Sequence, residues 1–206
     1  LTGLGFNGGV PIKVLTGTND DFLTIGQGLS NRSIDLGAGL GDTITLGITG
    51  GYNLNLVNVE NLNGTGGDDF VSLVANASGL TIDLGAGIND GVNLANGANT
   101  VSVANVENLN GSDFAVGSVS NDTLTLGNNV GGVSINLGNG TNTLNLASGA
   151  NSLVNAFNIA TINGTAFDDT LTLVNGVYQS TINLGGGTDT LILTNPTGFS
   201  SLGLVD

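Results

Sequence analysis

The residues of this chain with the clearest chemical potential are aspartates that stand where a glycine-rich turn runs into an alternating apolar segment. They recur roughly every 20 to 30 residues, and Asn142 occupies one position of the same kind. Carboxylates beside open glycine turns, where backbone carbonyls are also available, suit a hard cation such as Ca²⁺. The candidate metal ligands are therefore Asp21, Asp42, Asp69, Asp90, Asp122, Asp169 and Asp189.

The composition narrows the classes of function. The 206 residues include 16 acidic and 2 basic side chains, for a formal charge of −14, and there is no Cys, His, Met or Trp. These absences exclude Ser-His-Asp triads, cysteine nucleophiles and zinc sites of the usual nitrogen and sulfur type. The charge argues against nucleic acid and anionic lipid as partners and favours metal ions. We therefore predict a protein that is not an enzyme.

The glutamates support that prediction, and the apolar runs lead to a separate one. The only glutamates, Glu60 and Glu107, occupy the same place in two copies of the motif NVEN. A repeat position explains them better than a catalytic carboxylate pair does. No apolar run reaches the roughly 18 residues of a membrane-spanning helix, so we predict no membrane insertion.

Internal repeats organise the chain. NVENLNG begins at Asn58 and again at Asn105, and a looser copy begins at Phe157. Between them lie short runs in which Leu, Ile or Val alternate with Thr, Asn or Asp, separated by turn-forming Gly, Asn and Asp. Alternation of period two is the pattern of half-buried strands, and strands repeated at this spacing predict a parallel β-solenoid.

The predicted fold is all-β, a parallel β-solenoid or β-roll with two strands to each coil. Residues 15–194 would form an array of about four units of 47 to 53 residues, and residues 1–14 and 195–206 would be caps or junctions. Stacking would bring the turn aspartates into columns, where like charges resist ionisation. A divalent cation between the layers would neutralise them. The alternative is that these aspartates only cap turns through Asx-type hydrogen bonds.

The segment GTGGDDFVS, residues 64–72, resembles the haemolysin-type (RTX) nonapeptide G-G-x-G-x-D-x-U-x, with Asp69 on the aspartate and Val71 on the apolar position. LGGGTDTLI, residues 184–192, is similar. Because the motifs here do not follow one another every nine residues, the chain looks more like the degenerate repeats of bacterial surface-layer proteins and giant adhesins. The resemblance implies a β-roll that binds Ca²⁺ between turns, with contacts at Asp21, Asp69, Asp169 and Asp189, and also at Asp42, Asp90 and Asp122.

These observations lead to a functional expectation. We expect a secreted or cell-surface bacterial protein, stabilised by Ca²⁺, that forms or belongs to a self-assembling surface layer, fibre or adhesin stalk. Its partners would be calcium ions and either further copies or neighbouring repeats of the chain. Two alternatives stay open: a calcium-binding secretion module of an exported enzyme, and a solenoid that binds ice or polysaccharide. The last would use threonine pairs such as Thr43/Thr45, Thr123/Thr125 and Thr170/Thr172.

Overall fold

The structure is a computed structural model. It describes residues 12–13, 17–26, 30–47, 50–111, 119–175, 177, 179–195 and 203–205. Within these ranges the regular secondary structure is β-strand throughout. No helix in the described ranges is long and apolar enough to cross a membrane.

In the described part of the chain, twenty short strands form two parallel sheets of ten strands each. The odd sheet contains β1 (Ile12–Lys13), β3 (Arg32–Asp35), β5 (Asn53–Val57), β7 (Phe70–Leu73), β9 (Gly91–Asn93), β11 (Asn108–Asn110), β13 (Gly131–Asn136), β15 (Ala150–Phe157), β17 (Thr170–Leu173) and β19 (Thr190–Leu193). The even sheet contains β2 (Phe22–Ile25), β4 (Thr43–Leu46), β6 (Asn61–Thr65), β8 (Ser78–Gly85), β10 (Thr100–Ala104), β12 (Thr123–Leu126), β14 (Thr143–Asn145), β16 (Thr161–Thr165), β18 (Thr181–Gly185) and β20 (Gly203–Val205).

The chain winds as a coil of two strands, because each strand pairs in parallel with the strand two places further along. One odd strand and the even strand that follows it make one coil. The prediction of an all-β parallel solenoid is therefore confirmed.

The alternating sequence pattern accounts for the packing between the two sheets. Ile44, Leu62 and Ile82 stack in register on successive even strands and are no more than 1% exposed. Burying one such side chain contributes roughly 1.5 to 3 kcal/mol. The corresponding inward residues of the odd sheet include Leu54, Val71 and Val92. The residues between them face outward and are mostly Thr, Asn and Ser.

The predicted caps or junctions lie largely outside the described residues. Of residues 1–14, only β1 is described, and it pairs with β3 at one end of the odd sheet. In the segment 195–206, β20 pairs with β18 and is the last strand of the even sheet.

One glycine shows why the dipeptide Leu-Gly recurs at the ends of β8 and β18. Gly85 has φ +92°, and a methyl group on it would overlap the carbonyl oxygen of Thr65 on the neighbouring coil. Gly185, with φ +87°, meets Thr165 in the same way. Only glycine meets both demands, because it tolerates a positive φ and has no Cβ.

We expect Gly85→Ala to destabilise the solenoid more than Gly79→Ala does. Gly79 also has a positive φ, of +80°, but a Cβ there would meet nothing within 4 Å. The free energy of unfolding of Gly79→Ala should therefore fall only by the cost of placing alanine at a positive φ, roughly 1 to 2 kcal/mol. The Gly85 variant should lose a further 1 to 3 kcal/mol, roughly, from the steric overlap. Urea unfolding of both variants checks this, and equal losses would contradict the close coil contact at Gly85.

Candidate functional site

The residue directly before each strand from β2 to β19 forms a corner of the solenoid, and these residues lie in two columns. The strand pairings stack them in register over four runs: Asp21–Asp42–Glu60, Ala77–Asn99–Asp122–Asn142–Ala160–Ser180, Tyr52–Asp69–Asp90–Glu107 and Gly149–Asp169–Asp189. The even column, before the even strands, contains Asp21, Asp42, Glu60, Ala77, Asn99, Asp122, Asn142, Ala160 and Ser180. The odd column, before the odd strands, contains Asn31, Tyr52, Asp69, Asp90, Glu107, Val130, Gly149, Asp169 and Asp189. All seven predicted aspartates lie at these corners, three in the even column and four in the odd column.

Most of the column aspartates are buried. Asp42, Asp69, Asp90 and Asp169 are 0% exposed, and Asp122 is 1% exposed. A buried carboxylate is costly unless hydrogen bonds or a cation compensate for its lost hydration. The partners of each carboxylate oxygen therefore decide what a corner can do.

One oxygen of each buried column acid accepts a backbone N–H from the same corner one coil earlier. Asp42 Oδ1 accepts the N–H of Asp21 at 2.7 Å, and Glu60 Oε2 accepts that of Asp42 at 2.8 Å. The same contact, with the acceptor named second, links Ala77–Asn99, Asn99–Asp122, Asp122–Asn142, Tyr52–Asp69, Asp69–Asp90, Asp90–Glu107, Gly149–Asp169 and Asp169–Asp189. The column side chains thus act as turn caps that join consecutive coils.

Adjacent aspartates reach in opposite directions along the coil axis. Asp69 accepts from the preceding coil, whereas Asp68 Oδ1 accepts the N–H groups of Ile88 at 3.0 Å and Asn89 at 3.2 Å, both on the following coil. The same forward contact is made by Asp20, Asn121 and Asp168. The two neighbouring carboxylates at residues 68 and 69 therefore connect three coils.

The second carboxylate oxygen divides the corners into two kinds. At closed corners it has protein donors: Asp69 Oδ2 accepts from the backbone N–H of Thr65 at 3.2 Å and lies 3.4 Å from its hydroxyl. Asp169 Oδ2 makes the same contacts with Thr165 at 2.6 Å and 2.9 Å. The sequence pattern NGT, followed after two residues by a pair of aspartates, supplies these donors.

At open corners the second oxygen has no donor. Oδ2 of Asp21, Asp42 and Asp90 is buried and has no hydrogen-bond partner. A native protein rarely leaves a buried polar atom in this state without a proton, an ion or a solvent molecule to match it. These corners therefore have an unused ligand oxygen, although Asp42 and Asp90 lie in the motifs that resemble the nonapeptide less closely.

The asparagines of the even column show which hydrogen bonds an open aspartate cannot make. Asn99 Nδ2 donates to the carbonyls of Ala95 at 2.9 Å and Gly97 at 2.7 Å in its own turn. Asn142 Nδ2 donates to Gly138 at 3.2 Å. An ionised aspartate has no NH₂ group with which to donate to a turn carbonyl. A cation or a proton at the carboxylate would compensate for that missing donor.

The electrostatics follow the same logic. Burial, together with the charges of Glu107, Asp69 and Asp68, raises the pKa of Asp90 to about 6, although the backbone N–H of Asp69 opposes the shift. Burial also raises the pKa of Asp69, while hydrogen bonds from Tyr52 and Thr65 oppose the rise. At both residues, burial disfavours the charged carboxylate by more than the hydrogen bonds favour it, so the pKa rises.

The open corners fit Ca²⁺ only as part of a mixed ligand set. Among the described residues, no group of three or more acidic side chains converges on one point. Because Ca²⁺ takes 6 to 8 oxygen ligands, an ion at Asp42 or Asp90 would need turn carbonyls and water besides the carboxylate. The turns of these corners bring glycine backbone close to the acid, since a Cβ on Gly87 would lie 2.5 Å from Asp90 Oδ1.

Sequence reasoning did not assign Glu60, Glu107 or Asn99 to the corner contacts. Glu60 and Glu107 extend the runs of carboxylates, and Asn99 belongs to the even column. The signal for Asn99 was present, because LANGANT (94–100) repeats the pattern of LGNGTNT (137–143). Asp189 and Asp122 each accept a backbone N–H through Oδ1.

The first asparagine of the NVEN motif has a separate structural role. Asn58 and Asn105 adopt positive φ values of 52° and 54°. Their side-chain amides donate to Asp35 Oδ1 at 2.8 Å and Asp83 Oδ1 at 2.7 Å, each on the preceding coil. The aspartates of the IDLG segments are thereby used in coil-to-coil contacts outside the two columns.

The fold and the two columns define a class: an all-β parallel solenoid whose corners are joined by buried carboxylate and amide side chains. Comparisons of the chain with protein-family models, with curated proteins and with solved structures found no match.

The pKa of Asp90 predicts how stability depends on pH when divalent cations are removed. Because the folded pKa of about 6 exceeds the ordinary value of 3.8, the folded chain should lose stability as pH rises from about 4 to 6. The upper limit of this loss is roughly 3 kcal/mol. Asp90→Asn should flatten the dependence and raise the stability at neutral pH.

Urea unfolding in EDTA between pH 4.5 and 8 measures this effect. Asp168→Asn is the control, because it removes an exposed carboxylate that accepts a single backbone N–H. If Asp90→Asn and Asp168→Asn change the pH dependence of the free energy of unfolding equally, the burial of Asp90 does not cause that dependence.

Proposed function

We propose that this chain is an extracellular structural repeat protein, stabilised by Ca²⁺, that forms or belongs to a bacterial surface layer, fibre or adhesin stalk. The observation that carries the proposal is the buried carboxylate oxygen without a donor at Asp21, Asp42 and Asp90. These three corners lack the donors that Thr65 and Thr165 provide elsewhere.

Calcium suits these corners better than a proton does near neutral pH. The chain carries a net charge of −14 and has only two basic residues, so its own side chains cannot neutralise the columns. Ca²⁺ accepts a single carboxylate oxygen together with carbonyls and water. Outside the cell Ca²⁺ is abundant enough to fill weak sites, and each filled site would stabilise the folded state by mass action.

A structural role agrees with the way the polar residues are used. The column acids and their forward-reaching neighbours accept backbone N–H groups, so their geometry serves the stacking of coils. The interior is filled by inward-facing Leu, Ile and Val. A solenoid of this kind can extend by adding coils, and its terminal strands offer edges to a neighbour.

The proposal assigns different roles to the two kinds of corner. The open corners at Asp21, Asp42 and Asp90 would bind the ions. The closed corners at Asp69 and Asp169 would hold without an ion, because threonine satisfies both carboxylates.

A calcium titration with paired variants tests the calcium part. Ca²⁺ should raise the free energy of unfolding by about 2.7 kcal/mol per site at a concentration 100 times the dissociation constant. The double variant Asp42→Asn/Asp90→Asn should be more stable than the parent in EDTA and should lose most of the gain from Ca²⁺. Urea unfolding, with and without millimolar Ca²⁺, measures both quantities.

The matched control is Asp68→Asn/Asp168→Asn, which also removes two negative charges, but from exposed positions. It should retain the calcium response. The calcium assignment is wrong if the parent gains no stability, or if both double variants respond equally. Light scattering of the same samples tests assembly separately: particle growth supports a surface structure, and a monomer at all calcium levels contradicts that part alone.

A further inference from the structure

The outward face of the even sheet carries a column of threonines that the calcium proposal does not use. Five consecutive even strands, β10 to β18, place threonine at one register position. All five side chains are exposed or half-buried. They are Thr100, Thr123, Thr143, Thr161 and Thr181.

A second outward column runs beside the first, two residues further along each strand. It consists of Ser102, Thr125, Asn145, Asn163 and Asn183. Hydrogen bonds between coils hold its middle members: Asn145 Nδ2 donates to Thr125 Oγ1 at 3.2 Å, and Asn163 Nδ2 donates to Asn145 Oδ1 at 3.0 Å. The polar groups of these three residues are therefore held in place before any ligand arrives.

The array is regular and neutral. The described pairings from β10 to β18 contain no shift of register, whereas the odd sheet has irregularities between β13 and β15. None of the described outward residues on these five strands is charged or aromatic. The groups repeat about every 4.8 Å across the strands and about every 6.7 Å along them.

We propose that this face, the Thr/Asn face of β10 to β18, binds ice. Two parallel columns of polar groups at fixed spacing gain many simultaneous contacts only from a ligand whose own groups repeat at a similar spacing. Threonine offers a methyl group and a hydroxyl at each step, and both can order water into a lattice. A polysaccharide is the less suitable occupant, because the face has no aromatic ring on which a sugar could stack.

The odd sheet supplies an internal comparison. Thr170 and Thr190 occupy the corresponding position on β17 and β19. Their column begins with Ala150, and Ile192 follows on the outward side of β19 with 42% exposure. The odd face is thus too short and too irregular to offer the same array, although it contains the same residue type directly after a corner residue.

The test is partition of the purified chain into slowly growing ice. The folded protein, with millimolar Ca²⁺ present and strand content verified by circular dichroism, should be enriched in the ice relative to a co-dissolved unrelated protein. Thr143→Tyr, at the centre of the face, should abolish the enrichment. Thr170→Tyr, a half-buried threonine after a corner residue of the other sheet, should retain it.

Thr161→Tyr, one strand further along the face, is the second variant in case Thr143→Tyr does not fold, and the same loss is expected. The proposal is overturned if the parent chain is excluded from ice as strongly as the unrelated protein. It is equally overturned if folded face variants and Thr170→Tyr partition alike. Ice crystals grown in the parent solution should also be faceted, and unshaped discs would count against binding.

Discussion

The solenoid depends on one recurring contact: a buried corner carboxylate or amide oxygen that accepts the backbone N–H of the same corner one coil earlier. Parallel strands leave the backbone at each turn without a partner in the sheet, and a buried N–H without an acceptor is destabilising. The contact between Asp42 and Asp21 solves this at 2.7 Å. These contacts all run in one direction along the coil axis, because each corner side chain accepts an N–H from the preceding coil. It also brings negative charge into the interior of a chain with few cations.

The second carboxylate oxygen is where corners with the same backbone contact diverge. Asp69 and Asp90 are neighbours in one column, yet Thr65 satisfies Asp69 while Asp90 keeps an oxygen without a donor. Because the difference depends on a single threonine in the turn, exchange of a few residues can convert a closed corner into an open one. Calcium dependence in such a solenoid would therefore be a property of individual turns.

Much of the fold could be predicted from the sequence, and the site could be predicted only in part. Alternating residues and the repeated NVEN motif were enough to indicate a parallel coil with two strands per turn. The distribution of aspartates over two columns could not be derived, because Asp42 and Asp69 have the same local pattern although one precedes an even strand and the other an odd strand. Which column an aspartate joins depends on how whole strands pair, and the local sequence does not show this. Likewise, Thr65 is visible four residues before Asp69, but its contact with Oδ2 depends on the shape of the turn.

The two ends of the array are chemically unlike, and the column sequences explain why. Two runs of three carboxylates, Asp21–Asp42–Glu60 and Asp69–Asp90–Glu107, lie before residue 111. In the next run of the even column, Asn99 and Asn142 flank Asp122, and Asn99 Nδ2 donates to Asp122 Oδ1 at 2.9 Å. Beyond residue 111, the described corners stack one carboxylate directly on another at Asp169 and Asp189. Stacked carboxylates about 5 Å apart need a cation more than a carboxylate between two amides does. Under the calcium proposal, the open corners at Asp21, Asp42 and Asp90 all lie in the first half of the chain, whereas the Thr/Asn face of β10 to β18 begins after them.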